Sequence, residues 1–135
     1  GPERPGGWVL LDEPELHLGP RPDKVVPGLA GWRRDRFPAA ELDASDDAAI
    51  LVPPDWILEV LSESTEAIDR GKKRRIYRRE GVSYLWYVDP RDSVLEVWRL
   101  LEGRWLEVDT FMGDAVVRAP PFDAVELPLA TLWRW

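Results

Sequence analysis

An apolar stretch in the middle of the chain contains a single acidic residue. Residues 56–61 are apolar except for Glu59, and two prolines precede them. A short apolar run bounded by turn signals is typical of a strand buried on both faces. Side chains alternate along a strand, so Ile57, Glu59 and Leu61 are predicted to share one face. Glu59 would then lie between two aliphatic side chains.

The environment predicted for Glu59 requires a partner. An isolated carboxylate is costly to bury, so Glu59 needs a cation, a metal ion or a proton. A structural ion pair and a functional acid both meet this requirement. The pattern alone leaves the two interpretations open.

A basic helix is predicted after this strand. Seven of the ten residues 70–79 are lysine or arginine. The only large apolar residues of that stretch, Ile76 and Tyr77, define its buried face. At 3.6 residues per turn, Lys73 falls within roughly 10° of the centre of this face. Asp69 lies one turn earlier on the same side.

The side chain of Lys73 is thus predicted to point inward. Three arginines of the same helix, Arg74, Arg75 and Arg78, are predicted to point to solvent. The chain holds 15 arginines and three lysines, so an inward lysine suggests a need for a compact ammonium group. The simpler interpretation is a pair with Asp69, or a lysine stem that lies along the apolar face and reaches water.

Further patterns predict an α/β fold with a mixed sheet. A second buried strand is predicted over 84–88, which makes 56–88 a βαβ unit with parallel strands. Alternation on both sides of a turn at 102–103 predicts a hairpin with one wet face. The remaining predictions are short strands at 8–11, 15–18, 24–32 (broken at Pro27 and Gly28), 115–117 and 124–127, an irregular surface loop over 39–49, and a helical turn over 128–133.

Composition is that of one globular domain. The 135 residues are 44% hydrophobic, and no apolar run approaches the roughly 20 residues of a membrane span. The absence of cysteine excludes disulfides and thiolate metal sites and fits a cytoplasmic location. A net charge of −7 opposes broad binding to nucleic acid, so the basic helix is a local patch. His17, the one histidine, is predicted to be structural.

An ordered set of motifs runs through nearly the whole chain. Its members are residues 54–62, Ser64-Thr65, Asp69-Arg70-Gly71, Lys73, Tyr77, Gly81-Val82, Trp86, Val88-Asp89-Pro90, Val97, Gly31-Trp32-Arg33-Arg34 and 121–124. This set resembles the Uma-two-type family, described as putative restriction endonucleases. The resemblance implies a PD-(D/E)XK nuclease-like fold, a mixed sheet flanked by helices, formed by residues 1–135 as one domain.

The resemblance also implies a chemistry. It implies Mg²⁺- or Mn²⁺-dependent hydrolysis of DNA, with the metal ion held by acids. Glu59 would be a metal ligand and a catalytic residue, and Lys73 the catalytic lysine from the following helix. The side chains implied to contact DNA phosphates are Arg70, Lys72, Arg74 and Arg75.

The chain departs from the family pattern at the other expected acid. Gly28 occupies the position of the family's first acid. Asp55 shares a side with Glu59, but four strand residues span about 13 Å and magnesium–oxygen bonds are about 2.1 Å. Asp55 is therefore predicted to bond nearby backbone at the start of its strand. Asp23 and Glu15 are the alternative acids on adjacent strands.

Two functions from different classes stay open. The first is a metal-dependent DNA endonuclease. The second is a catalytically inactive nuclease-fold domain that acts in binding or assembly, motivated by Gly28 and by the acidic net charge. Relatives begin with a helix and a strand that this chain is expected to lack. An exposed Trp133 or Trp135 at the tail would mark a subunit contact, and the hypothesis that follows is a homodimer.

Overall fold

The computed structural model describes residues 7–38 and 49–134. Its strands, in chain order, are β1 (Trp8–Asp12), β2 (Leu16–Leu18), β3 (Asp23–Val25), β4 (Leu29–Arg33), β5 (Trp56–Val60), β6 (Tyr84–Asp89), β7 (Val94–Leu101), β8 (Arg104–Met112), β9 (Val116–Val117) and β10 (Leu127–Pro128). Six of them form the main sheet, in the order β1-β4-β5-β6-β7-β8, while β2 pairs with β3 and β9 with β10.

The main sheet is mixed, as the sequence predicts. β5 and β6 run parallel, with Glu59 opposite Tyr87, and the other pairs of the main sheet are antiparallel. The predicted hairpin is β7 and β8, which carries an irregularity in register between Val97 and Trp98. The predicted break at Pro27 and Gly28 separates β3 from β4.

One helical segment connects β5 to β6. It consists of α1 (Glu66–Ile68), a π-helical turn (Asp69–Lys73) and α2 (Arg74–Arg79). We call residues 66–79 the site helix. Two residues after its last residue, Arg79, comes Gly81, whose positive φ of 77° suits glycine. Two 3-10 segments, Arg34–Arg36 and Leu129–Arg134, complete the described helices.

β5 is buried on both faces, which confirms the expected alternation. Ile57 and Leu61 belong to the cluster beneath the site helix, which also contains Ile76 and Tyr77. The opposite face of the sheet has its own cluster, in which the β5 and β6 side chains are Trp56, Leu58, Trp86 and Val88. This second cluster is closed by the C-terminal 3-10 segment through Leu129 and Leu132.

Asp55 ties the start of β5 to the end of β4. Its Oδ2 accepts the Arg33 amide at 2.7 Å, and its other oxygen accepts the Arg36 guanidinium. Asp55 is therefore committed to the backbone and to a structural pair, as predicted.

Trp133 is not exposed as a subunit contact would require. Its indole N–H donates to the Gly113 carbonyl at 2.8 Å, and its ring packs against the second core cluster. The prediction of an exposed Trp133 is wrong because the C-terminal 3-10 segment folds back onto the sheet. Trp135 and residues 39–48 of the predicted loop lie outside the described part of the chain. No helix of the described ranges is long and apolar enough to cross a membrane.

Candidate active site

Glu59 and Lys73 meet beneath the site helix. Glu59 Oε2 lies 2.7 Å from Lys73 Nζ, and the two side chains are only 5% and 15% exposed. Glu59 points to the helix side because β5 alternates, and Lys73 points inward because Ile76 and Tyr77 turn that face of the helix to the sheet. The predicted contact between the Glu59 carboxylate and the Lys73 ammonium is therefore present.

Tyr77 is a second partner of the same carboxylate. Its hydroxyl donates to Glu59 Oε2 at 2.6 Å. Burial raises the pKa of Tyr77 well above its ordinary value, and the nearby carboxylate adds to the effect, so the phenol stays a donor. Sequence reasoning used Tyr77 only to define the buried face. Its spacing of four residues from Lys73 was the signal that both reach one acceptor.

Three oxygen atoms surround the Lys73 ammonium. Besides Glu59 Oε2, Asp69 Oδ1 lies 3.4 Å from Nζ, and Nζ donates to the Val26 carbonyl at 3.3 Å. Asp69 belongs to the π-helical turn, and its main-chain carbonyl accepts a hydrogen bond from the Tyr87 hydroxyl at 2.9 Å. No sequence pattern marked Val26, because a main-chain carbonyl carries no residue-type signal.

Burial raises the pKa of Glu59 above its ordinary value, although the Lys73 ammonium and the Tyr77 hydroxyl oppose the shift. Desolvation penalises the charged form of a carboxyl group, and a neighbouring ammonium favours it. Glu59 thus combines a cationic partner with a higher affinity for protons than a surface glutamate. Buried titratable groups with a specific charge partner are common at functional sites.

The raised pKa of Glu59 gives a pH dependence of stability. Since the folded chain holds this proton more tightly than the unfolded chain, the stabilisation is complete below the ordinary carboxyl pKa. It is lost as pH rises through the folded-state pKa. The free energy of unfolding, relative to the Glu59→Gln variant, is expected to fall across that window. Denaturant unfolding of both proteins at several pH values measures this difference, and a difference independent of pH would contradict it.

Gly28 lies next to Glu59 in the sheet. The last pair of β4 and β5 is Leu29 opposite Leu58, so the next position outward is Gly28 opposite Glu59. A Cβ at position 28 would lie 3.1 Å from the Leu58 carbonyl oxygen and 3.8 Å from a Val60 methyl group. The side chains nearest to that Cβ, Leu58 and Val60, belong to the cluster on the face of the sheet opposite Glu59. A side chain at position 28 therefore starts towards that face, and the main chain of β5 would have to shift slightly to admit it.

The two alternative acids lie elsewhere. Asp23 pairs with Arg79 at 2.9 Å, and Glu15 contacts His17 and Lys24. Neither contacts Glu59 or Lys73. The ring nitrogen of His17 lies 2.9 Å from the Glu15 carboxylate, and its structural role stays a prediction.

The donors of the cluster are compatible with a hard cation. Within residues 7–38 and 49–134, no group of three acidic or histidine side chains could hold a metal ion. Glu59 and Asp69 are the two carboxylates near Lys73, and the Val26 carbonyl is a third oxygen. Mg²⁺ commonly takes one or two protein carboxylates, while waters and substrate phosphates complete its shell. Glu59, the carboxylate from the sheet, is the side chain suited to hold such an ion.

The basic residues of the site helix differ in their partners. Arg70 donates to both oxygens of Glu96, at 3.0 and 2.5 Å, and to Glu66 at 2.8 Å, so its guanidinium is already engaged within the chain. Lys72 and Arg75 are exposed. Their contact with DNA phosphates stays a prediction, as does that of Arg70.

Contrary to the prediction, Arg74 does not point freely to solvent. Its guanidinium lies 4.2 Å from the centre of the Trp98 ring and is partly buried. The prediction is wrong for Arg74 because the β7–β8 hairpin places aromatic rings beside the helix. A guanidinium is attracted to such faces. Arg75 and Arg78 are exposed, as predicted.

Comparison with known proteins agrees with the fold described above. A solved structure from Anabaena variabilis ATCC 29413, titled a putative nuclease belonging to DUF820, matches with a TM-score of 0.68 at 21% identity. The match covers 96% of this chain and 70% of that one. The chain therefore has a nuclease-type fold, which confirms the predicted fold class.

The family model Uma2, described as "Putative restriction endonuclease", matches residues 2–130. The chain belongs to this family, as the motifs indicate. No curated protein matches it with significance.

Proposed function

We propose that this chain is a metal-dependent DNA endonuclease that hydrolyses phosphodiester bonds at the Glu59–Lys73 pair. The observation that carries the proposal is the 2.7 Å contact between a buried strand carboxylate and an inward-pointing lysine. A purely structural ion pair would more commonly lie at the surface, because burying both charges is costly. Membership of the Uma2 family supports the same reaction class.

Each side chain has a separate task in this proposal. Glu59 would hold a divalent ion, which when bound polarises the phosphoryl oxygen and acidifies a water molecule. The Lys73 ammonium orients the attacking water and stabilises the negative charge that develops on the phosphate. Tyr77 acts as a positioning residue, since its hydroxyl holds Glu59 Oε2. Exposed basic residues of the site helix, Lys72 and Arg75, supply attraction for the phosphate backbone.

Cleavage of supercoiled plasmid DNA with Mg²⁺ or Mn²⁺ tests the proposal. We expect nicking or linearisation that is lost on chelation and falls at least roughly 100-fold in Glu59→Gln, because preorganised groups at a reacting phosphate contribute on this scale. Glu102→Gln, which removes an exposed acid at the β7–β8 turn, is the matched control. Full activity of Glu59→Gln would refute the assigned site.

The second candidate function is binding or assembly by a nuclease-fold domain that lacks catalysis. The observation in its favour is Gly28, which precedes β4 and offers no carboxylate at the position of the family's first acid. Calorimetry with Mn²⁺ separates the two functions. Binding by the chain itself supports the nuclease, whereas no binding, restored by Gly28→Asp and not by Gly28→Ala, supports a site that has lost its metal ligand.

A further inference from the structure

A positively charged groove lies on the flank of the site helix opposite Lys73. Lys73 reaches towards Val26, which precedes β4, whereas Arg74 stacks on Trp98 of β7. Since β4 and β7 lie on opposite sides of the β5–β6 pair, the two side chains leave the helix in opposite directions. The groove has a volume of about 250 Å³ and is lined by Arg70, Gly71, Arg74, Arg75, Arg78 and Trp105.

Three of its guanidinium groups form no salt bridge with any acidic side chain in the described part of the chain. Among the described residues, the basic side chains of the site helix that form salt bridges are Arg70, Lys73 and Arg79. None comes from the remaining groove arginines, which are Arg74, Arg75 and Arg78. A chain with 25 acidic residues and a net charge of −7 has many carboxylates that could neutralise them. The groove therefore keeps a local positive charge on an acidic molecule.

Trp105 adds an unused hydrogen-bond donor. Its indole N–H is buried and has no acceptor among the described residues, and leaving such a donor unmet costs about 1–3 kcal/mol. Its ring centre lies 5.8 Å from the Arg74 guanidinium, and Trp105 is one of the residues that line the groove. Gly71 leaves open space where a side chain would project, and it lies in a π-helical turn, a feature frequent at functional sites.

We propose that this groove binds a phosphate group of the nucleic-acid strand, through Arg75, Arg78 and the indole N–H of Trp105. Guanidinium groups match phosphate geometry and donate in pairs, and a phosphate oxygen accepts the remaining N–H. Arg74 stays stacked on Trp98 and contributes charge from the floor. The assignment rests on the proposed function for the identity of the strand, but the groove itself uses no residue of the Glu59–Lys73 pair.

Two-dimensional ¹⁵N–¹H spectra of the indole N–H groups test the assignment directly. The Trp105 signal is identified by its loss in Trp105→Phe. The chain, kept in chelator so that no cleavage occurs, is titrated with inorganic phosphate and, separately, with a short oligodeoxynucleotide without terminal phosphates. We expect the Trp105 signal to move with the oligonucleotide, while the signals of Trp86 and Trp133, whose N–H groups are bonded to carbonyls, stay in place. If the Trp105 signal moves with inorganic phosphate but not with the oligonucleotide, the groove is a site for free phosphate, which would overturn its assignment to the nucleic-acid strand.

A salt titration of oligonucleotide affinity provides the second measurement. Arg78→Gln should reduce the slope of log K against log salt by about 0.7–0.9, the contribution of one phosphate contact. Arg99→Gln is the matched control, because Arg99 is exposed and its neighbour Trp98 faces the helix, so Arg99 faces the other side of the sheet. An unmoved Trp105 signal, or equal slopes for the two variants, would overturn the assignment. The nuclease proposal is tested separately with Glu59→Gln. We expect this variant to lose cleavage while its Trp105 signal still moves with the oligonucleotide.

Discussion

Replacing Lys73 with methionine is expected to lower the free energy of unfolding by about 3–5 kcal/mol at neutral pH. Methionine keeps an unbranched apolar stem and removes the ammonium, which leaves Glu59 and Asp69 near each other without a cation. Breaking a buried pair by removing one partner is strongly destabilising because the remaining charge is buried and uncompensated. The low exposure of both side chains, 15% for Lys73 and 5% for Glu59, places this pair in that class.

Denaturant unfolding, followed by tryptophan fluorescence, measures the change. Lys72→Met is the matched control, since Lys72 is the exposed neighbour on the same helix and surface substitutions usually stay within about 0.5 kcal/mol. The double variant Glu59→Gln/Lys73→Met should recover much of the loss, because the uncompensated carboxylate of Glu59 is then absent. Equal stabilities of Lys72→Met and Lys73→Met would show that the ammonium is not part of a buried pair.

Replacing Trp32 with alanine is expected to cost a similar amount, about 3–5 kcal/mol. Trp32 is fully buried, packs edge-on against Phe37 with ring centres 5.7 Å apart, and donates its indole N–H to the Val52 carbonyl at 3.0 Å. Truncation would leave a large cavity and a carbonyl without its donor. Because Val52 precedes β5, the same contact helps to hold the strand that carries Glu59.

The Trp32→Phe variant separates packing from hydrogen bonding. It keeps an aromatic ring and loses the N–H, so we expect a smaller loss, in which the hydrogen bond accounts for about 1 kcal/mol. Thermal or denaturant unfolding of the two variants gives the comparison. If alanine and phenylalanine destabilise equally, the cavity contributes nothing and the assigned packing role is wrong.

The candidate pair was predictable because two periodicities converge on it. The period of two in β5 places Glu59 beside Ile57, and the helical period places Lys73 beside Ile76 and Tyr77. Each pattern identifies one polar residue among apolar neighbours, so the burial of both was implied before their contact was known. The βαβ connection, parallel strands and the β7–β8 hairpin followed from similar local signals.

The partners of the pair were less predictable because they depend on distant parts of the chain. Lys73 reaches the Val26 carbonyl, 47 positions away in sequence, and Arg70 reaches Glu96, 26 positions away. Arg74 was expected in solvent, since nothing in the helix indicates that Trp98 would lie beside it. Such contacts follow from the order of strands in the sheet, which side-chain patterning along one segment does not specify.

The sequence by itself determined that β5 is buried on both faces, which strand and helix carry the polar pair, and which family the chain resembles, because these depend on local periodicity and on residue type. Only the tertiary structure decided that Tyr77 shares the Glu59 carboxylate and that Arg70 is already engaged by acids. It also decided that three arginines without a salt bridge to any described residue line one groove with Trp105. These features arise where separate elements pack together, and their energies depend on distances and exposure that exist only in the folded chain.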